Sequence, residues 1–143
     1  MEEIKLRYKA MLQALLTLEE GLQEIEIPIP NRPKAHILMR DGVTQRFEYY
    51  IDLFWKFFKT YLEEIQKISI ESPSPNKTIR LLLNLKLITD AEFDTLFACV
   101  AERNLTSHTY DEKTAEKIQL HIPSYHLTMK IIINRLEIEK NNN

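Results

Sequence analysis

The sequence predicts an all-α protein, an up-down four-helix bundle with an additional helix. Three observations carry this. The chain has 143 residues but only two glycines, Gly21 and Gly42, where average usage of about 7 % would give roughly ten. Hairpins, tight turns and phosphate-cradling loops lean on glycine, so β-sandwiches, Rossmann units and P-loops are disfavoured. Neither GxGxxG nor GxxxxGK occurs. Apolar residues recur at helical spacing, and the helical stretches are joined by short connections with no internal repeat or low-complexity block. That pattern fits one domain over residues 1–143.

The first helix is the clearest. Ile4, Tyr8, Met11, Leu15, Leu18, Leu22 and Ile25 step by 4, 3, 4, 3, 4, 3, the seam of a helix packed at a shallow angle in a bundle. Leu12 and Leu16 widen that stripe. Pro28, Pro30 and Pro33 rule helix out of the next segment, which reads as an extended connection. A second long helix spans roughly Lys34 to Gln66. Aromatic residues crowd it from Phe47 to Phe58, enough for a core and a second surface. Gly42 inside this helix suggests that another backbone or a ligand comes close.

Ser74 and Pro75 read as N-cap and first position of a third helix ending near Leu87. Thr89-Asp90-Ala91-Glu92 is a capping box opening a fourth helix that ends near Leu105 to Ser107. Asp111 or Thr109 caps a short fifth helix, Glu112 to about Leu120. Pro123 then starts a last helix through Ile138, with Tyr125, Met129, Ile132, Ile133 and Leu136 as its face. The tail, residues 140–143, is expected to fray.

Charge and cysteine bound the chemistry. Lys and Arg number 19 against 21 Asp and Glu, a formal charge of −2. This excludes a strongly cationic nucleic-acid coat but not a local basic site. The single cysteine, Cys99, allows no internal disulfide framework and no cysteine-rich zinc site. No apolar run reaches the ~18 residues of a membrane span, and MEEIKLRYK does not read as a secretory signal, so a cytoplasmic location is expected.

The densest chemistry lies in Glu102-Arg103-Asn104-Leu105-Thr106-Ser107-His108-Thr109-Tyr110-Asp111. A guanidinium matches phosphate oxygens with a planar fork of donors, an imidazole exchanges a proton near neutral pH, and Asn104 adds a neutral donor. Arg103 and His108 thus form a candidate for phosphodiester chemistry. Five residues of ideal helix turn about 500°, leaving the two positions about 140° apart. They converge only if the helix ends between them, as the Thr106-Ser107 pair would allow, or if two copies meet. A plain surface reading stands beside this: a histidine near a helix C-terminus is favoured by the dipole alone.

A second cluster runs from Arg40 to Lys56. Arg40 and Arg46 are candidate phosphate or nucleotide contacts, with a charged solvated face beside an aromatic core as the plainer alternative. His36, His121 and His126 lack metal-site spacing, so no metal and no cofactor are expected. Cys99, near Phe97 and Val100, reads as an inert buried thiol.

Three blocks, RDGVTQRFEYYIDLFWK (Arg40 to Lys56), SPNKTIRLLLNLKLI (Ser74 to Ile88) and ERNLTSHTYDEKTAEKI (Glu102 to Ile118), resemble the nucleotidyltransferase substrate-binding protein family, a branch of the HEPN superfamily of all-α domains. Arg103, His108 and Tyr110 match its R-x4-H-x-Y pattern in full. Asp52 stands where glutamate is expected, and Tyr49, Tyr50 and Phe54 are bulkier than usual. The resemblance implies a homodimer through bundle helices, with a cleft between protomers, and a separate minimal nucleotidyltransferase as partner. Similar HEPN proteins are ribonuclease toxins neutralised by that partner, which transfers AMP to the motif tyrosine, here Tyr110. By the same resemblance Arg103 stabilises phosphorane charge, His108 acts as acid or base, Asn104 orients the phosphate, and the ribose 2′-hydroxyl is the nucleophile, with no metal needed. RNA or a nucleotide is then the bound partner. A structural helical dimerisation module without catalysis is the alternative.

Overall fold

The computed structural model describes the backbone of residues 2–108 and 111–142 and the side chains of residues 2–106 and 111–136. The described residues form five helices and no strand, as an all-α sequence should. They are α1 (Glu2–Glu24), α2 (Ala35–Glu64), α3 (Pro75–Asn84), α4 (Asp90–His108) and α5 (Glu112–Asn142). The chain divides into two compact units, residues 1–78 and 79–143, with the division inside α3.

In the first unit α1 and α2 pack antiparallel. Gly21, late in α1, meets Val43, early in α2, whereas the Tyr8 and Phe57 rings touch at the opposite end with centroids 5.4 Å apart. The predicted stripe is the buried face of α1: Ile4, Met11, Leu15 and Leu18 are buried. Leu16 is not part of it and stands 65 % exposed. The interface turns instead toward Ala14 and Gly21, both buried, because small residues let two helix backbones approach. A Cβ built on Gly21 would lie 3.2 Å from Val43 Cγ2, while one on Gly42 would meet nothing within 4 Å. The close approach expected at Gly42 is therefore made at Gly21.

α2 buries Phe47, Tyr50, Ile51, Phe54, Phe57, Phe58, Tyr61 and Leu62, and leaves Tyr49 59 % exposed. The link from α1 is turn-rich rather than extended, with Asn31 at φ 65°. Lys67 (φ 57°) and Lys86 (φ 60°) take the left-handed positions after α2 and α3, where glycine is usual. Ile68 N–H donating to the Leu62 carbonyl at 3.0 Å closes α2. Two glycines suffice because other residues accept this strain, about 1 kcal/mol each. Ser74 caps α3 as its sequence predicts, accepting from Lys77 N–H at 3.2 Å, and α3 ends at Asn84, short of Leu87.

In the second unit the capping box of α4 is complete: Thr89 N–H donates to Glu92 Oε1 at 2.9 Å, and Glu92 N–H to Thr89 Oγ1 at 3.1 Å. Asp111 caps α5, accepting from Lys113 N–H at 3.2 Å and from the Thr114 hydroxyl at 3.0 Å. α4 and α5 run antiparallel, since Glu92 pairs with Arg135 while Glu102 pairs with His121.

The two final helices predicted on either side of Pro123 are one, Glu112–Asn142, with the proline inside. An internal proline costs about 3 kcal/mol. Against it stands an unbroken buried stripe, Ile118, Ile122, Tyr125, Met129, Ile132 and Leu136, whose 4, 3, 4, 3, 4 steps pass straight through Pro123. Burying each such side chain contributes about 1.5–3 kcal/mol, so packing outweighs the local penalty. No helix among the described residues is long and apolar enough to cross a membrane.

Candidate functional site

The last turns of α4 carry the motif. The buried stripe of this helix, Leu96, Cys99 and Val100, stops at Val100. Arg103 follows half-buried, and Asn104 is exposed. Thr106 turns its hydroxyl back onto the Arg103 carbonyl at 2.6 Å. That bond satisfies the side chain within the helix instead of ending it, and α4 continues to His108. The expected helix end between Arg103 and His108 is absent. Both positions belong to one helix, about 140° apart around its axis, so one chain's α4 does not bring them to one face. The side chain of His108 and the whole of Tyr110 lie outside the described residues.

The two α2 arginines have different settings. Arg40 is buried, its side chain 3 % exposed, and Nη2 donates to Asp41 Oδ1 at 3.1 Å. Arg46 is exposed and crosses to α1, Nη1 donating to the Thr17 carbonyl at 2.6 Å. It borders a groove with Glu20, Gly21, Glu24, Met39, Gly42 and Val43. Two glutamates beside one guanidinium make that groove mixed in charge.

A cluster behind the motif was not singled out by the sequence. Glu102, its side chain 15 % exposed, places Oε1 2.6 Å from His121 Nδ1. Tyr125, one turn further along α5, is buried, and its ring meets the His121 ring edge-on at 6.0 Å. Burial, then Glu102, pushes the Tyr125 hydroxyl well above its ordinary pKa. Cys99, also buried, has its thiol pushed up by desolvation first and the Glu102 charge second. No group of three or more His, Cys, Asp or Glu among the described residues is placed to hold a metal ion.

The family model for nucleotidyltransferase substrate binding protein-like chains matches residues 6–138. This chain belongs to that family. A solved crystal structure of a protein from Thermus thermophilus is similar, at 36 % identity and a TM-score of 0.74, over 88 % of this chain and 98 % of that one. The comparison with curated proteins found no match.

For this member of the nucleotidyltransferase substrate binding protein-like family, a signal for the missed cluster was present. Glu92, Leu96, Cys99 and Glu102 step by 4, 3, 3, so both glutamates share the face of α4 that carries buried Leu96 and Cys99. A carboxylate on such a face needs a donor from the facing helix. Arg135 and His121 are those donors.

Proposed function

We propose that this chain is the partner and target subunit of a separate minimal nucleotidyltransferase, and that two copies of it build a metal-independent RNA-cleaving site of the HEPN type. The observation that carries the reading is family membership across residues 6–138, together with the R-x4-H-x-Y residues Arg103, His108 and Tyr110 in this sequence. The helical geometry of α4 supports two copies, because positions 103 and 108 lie about 140° apart around one helix and a second α4 across a twofold axis would supply the complementary position.

In this reading the ribose 2′-oxygen attacks the adjacent phosphorus while its proton passes to an imidazole. The phosphorus–O5′ bond breaks, the leaving oxygen takes a proton from an imidazolium, and a 2′,3′-cyclic phosphate remains. His108 serves these proton transfers, Arg103 neutralises the phosphorane oxygens, and Asn104 donates to a non-bridging oxygen. Arg46 and, less openly, Arg40 are the phosphate or nucleotide contacts of α2. The net charge of −2 limits sequence-independent RNA affinity to what a focused cleft supplies.

The partner acts on Tyr110. Its hydroxyl oxygen displaces pyrophosphate from ATP, forming a phosphodiester to AMP. The added phosphate places negative charge beside Arg103 and His108, occupying the anion site and repelling RNA. This pairing belongs to the cytoplasm.

The RNase arm is tested by incubating RNA in EDTA with wild-type, Arg103→Ala and His108→Ala proteins. Cleavage by wild type alone, with resistance of RNA carrying a 2′-deoxy sugar at the scissile step, is expected. Equal cleavage by His108→Ala removes His108 as the proton-transfer group. A chain that neither cleaves nor is modified is a helical association module.

A further inference from the structure

Away from the motif, α3 and α4 hold an aromatic–cation stack at the surface of the second unit. The Phe93 and Phe97 rings stack one turn apart on α4, with centroids 5.9 Å apart and 28° between planes. Arg80 reaches over from α3 and places Cζ 5.9 Å from the centroid of each ring. Phe93 is half-buried, and Arg80 is exposed. Phe97 is 41 % exposed, so its ring forgoes much of the hydrophobic gain of burial. Among the described residues Arg80 has no ion-pair partner; its guanidinium is met by the two rings.

An exposed ring beside a guanidinium suits an unpaired nucleobase. A base splayed out of a single strand lies flat on an aromatic side chain or on an arginine plane. The guanidinium adds cation–π attraction and matches a flanking phosphate. Such stacking supplies affinity that a net charge of −2 does not.

The stack is also in line with the motif. Asn104 follows Phe97 by seven residues and position 108 by eleven, rotations of about −20° and +20° around α4. Phe97, exposed Asn104 and position 108 therefore share one face of the helix, with rises of about 10.5 and 16.5 Å from the ring position. The carboxylates near this line, Asp90 and Asp94, both precede Phe97. A polyanion seated on the stack is thus directed toward the C-terminal turns of α4.

We propose that Arg80, Phe93 and Phe97 form a stacking platform for an unpaired base of single-stranded RNA and hold that strand along α4 toward Asn104 and position 108. Phe97 takes the base, Phe93 backs it, and Arg80 meets the flanking phosphate. The proposal deepens the RNA-cleaving reading above and rests on it for the identity of the ligand.

Binding and cleavage, read separately on the full chain, test it. Fluorescence anisotropy gives Kd for an unstructured RNA oligonucleotide with 2′-O-methyl sugars throughout, which has no 2′-hydroxyl nucleophile. The unmodified oligonucleotide gives kcat and KM. Phe97→Ala raises Kd and KM at least fivefold with kcat within twofold, and Phe97→Trp keeps Kd within twofold of wild type. Arg80→Gln raises Kd at least threefold and reduces the salt slope by about 0.7; it covers the case in which Phe97→Ala does not fold. Leu120→Ala, which trims a side chain 77 % exposed on α5, changes neither Kd nor KM. Wild-type Kd in folded Phe97→Ala overturns the platform, as does an equal loss in Leu120→Ala. A smaller assembly of Phe97→Ala by sedimentation also overturns it and assigns the stack to a second copy of this chain. Phe97-dependent binding by a wild type that does not cleave supports the platform while the cleavage reading fails. Cleavage with Kd and KM independent of Phe97 and Arg80 overturns the platform and leaves the cleavage reading intact, and a wild type that binds no RNA overturns the platform outright.

Discussion

Arg135, late in α5, grips Glu92, in the first turn of α4, with both guanidinium nitrogens: Nη1 lies 2.9 Å from Oε1 and Nη2 2.6 Å from Oε2. The same Nη1 also donates to the Leu87 carbonyl at 3.1 Å. One carboxylate thereby closes the N-terminus of α4 through Thr89 and ties the far end of α5 to it. The guanidinium holds the Glu92 carboxyl below its ordinary value of 4.5, overcoming the opposite push of burial, with Thr89 adding to the effect.

Because the folded-state pKa of Glu92 is depressed, its contribution to stability is present above about pH 4.5 and is lost as pH falls through the lower folded value. Denaturant unfolding of wild type and Glu92→Gln at pH 7 and again below pH 4 checks this. The gap between the two proteins should narrow on acidification. Arg135→Met should cost about 1–2 kcal/mol at pH 7, between an exposed and a fully buried pair. A gap that does not change with pH would separate Glu92 from the acid sensitivity.

The two glycines should respond in opposite directions. A Cβ on Gly42 meets nothing within 4 Å, so Gly42→Ala should stabilise the protein by about 0.5–1 kcal/mol through helix propensity alone. At Gly21 the Cβ already lies 3.2 Å from Val43, and Gly21→Val should cost about 1–3 kcal/mol by overpacking the α1–α2 contact. Thermal melts of the two variants decide it.

Much of the fold is legible because the informative signals are local. The 4, 3 alternation from Ile4 to Leu18, Ser74 before Pro75, and the Thr89–Glu92 box each act within a few residues, and each forms. The departures arise where a local preference meets a tertiary one. Pro123 breaks a helix in isolation, but the stripe from Ile118 to Leu136 is continuous across it. Leu16 extends a helical face on paper, yet Ala14 and Gly21 decide where α2 can approach. At the site, residue types were legible and geometry was not. Arg103 and His108 occupy positions about 140° apart on one helix, a divergence that follows from where α4 ends and not from the motif's spacing. Glu102 and His121 are 19 residues apart and meet only after α4 and α5 pack.

Cys99 should be chemically silent in the native protein. It is buried, 1 % exposed, and its thiol is pushed well above its ordinary value by desolvation and by Glu102. Thiolate is the reactive form, so alkylation at pH 8 should be slower than in denaturant by two orders of magnitude or more. Rapid labelling of the folded chain would show that the α4–α5 interface opens readily.

Tyr110, as the residue through which a nucleotidyltransferase controls this chain, is the centre of the proposed function. Intact mass after incubation with ATP and a minimal nucleotidyltransferase measures this directly. The expected result is a gain of one or more AMP units by wild type and none by Tyr110→Phe. An unchanged wild-type mass, or the same gain in Tyr110→Phe, would contradict it.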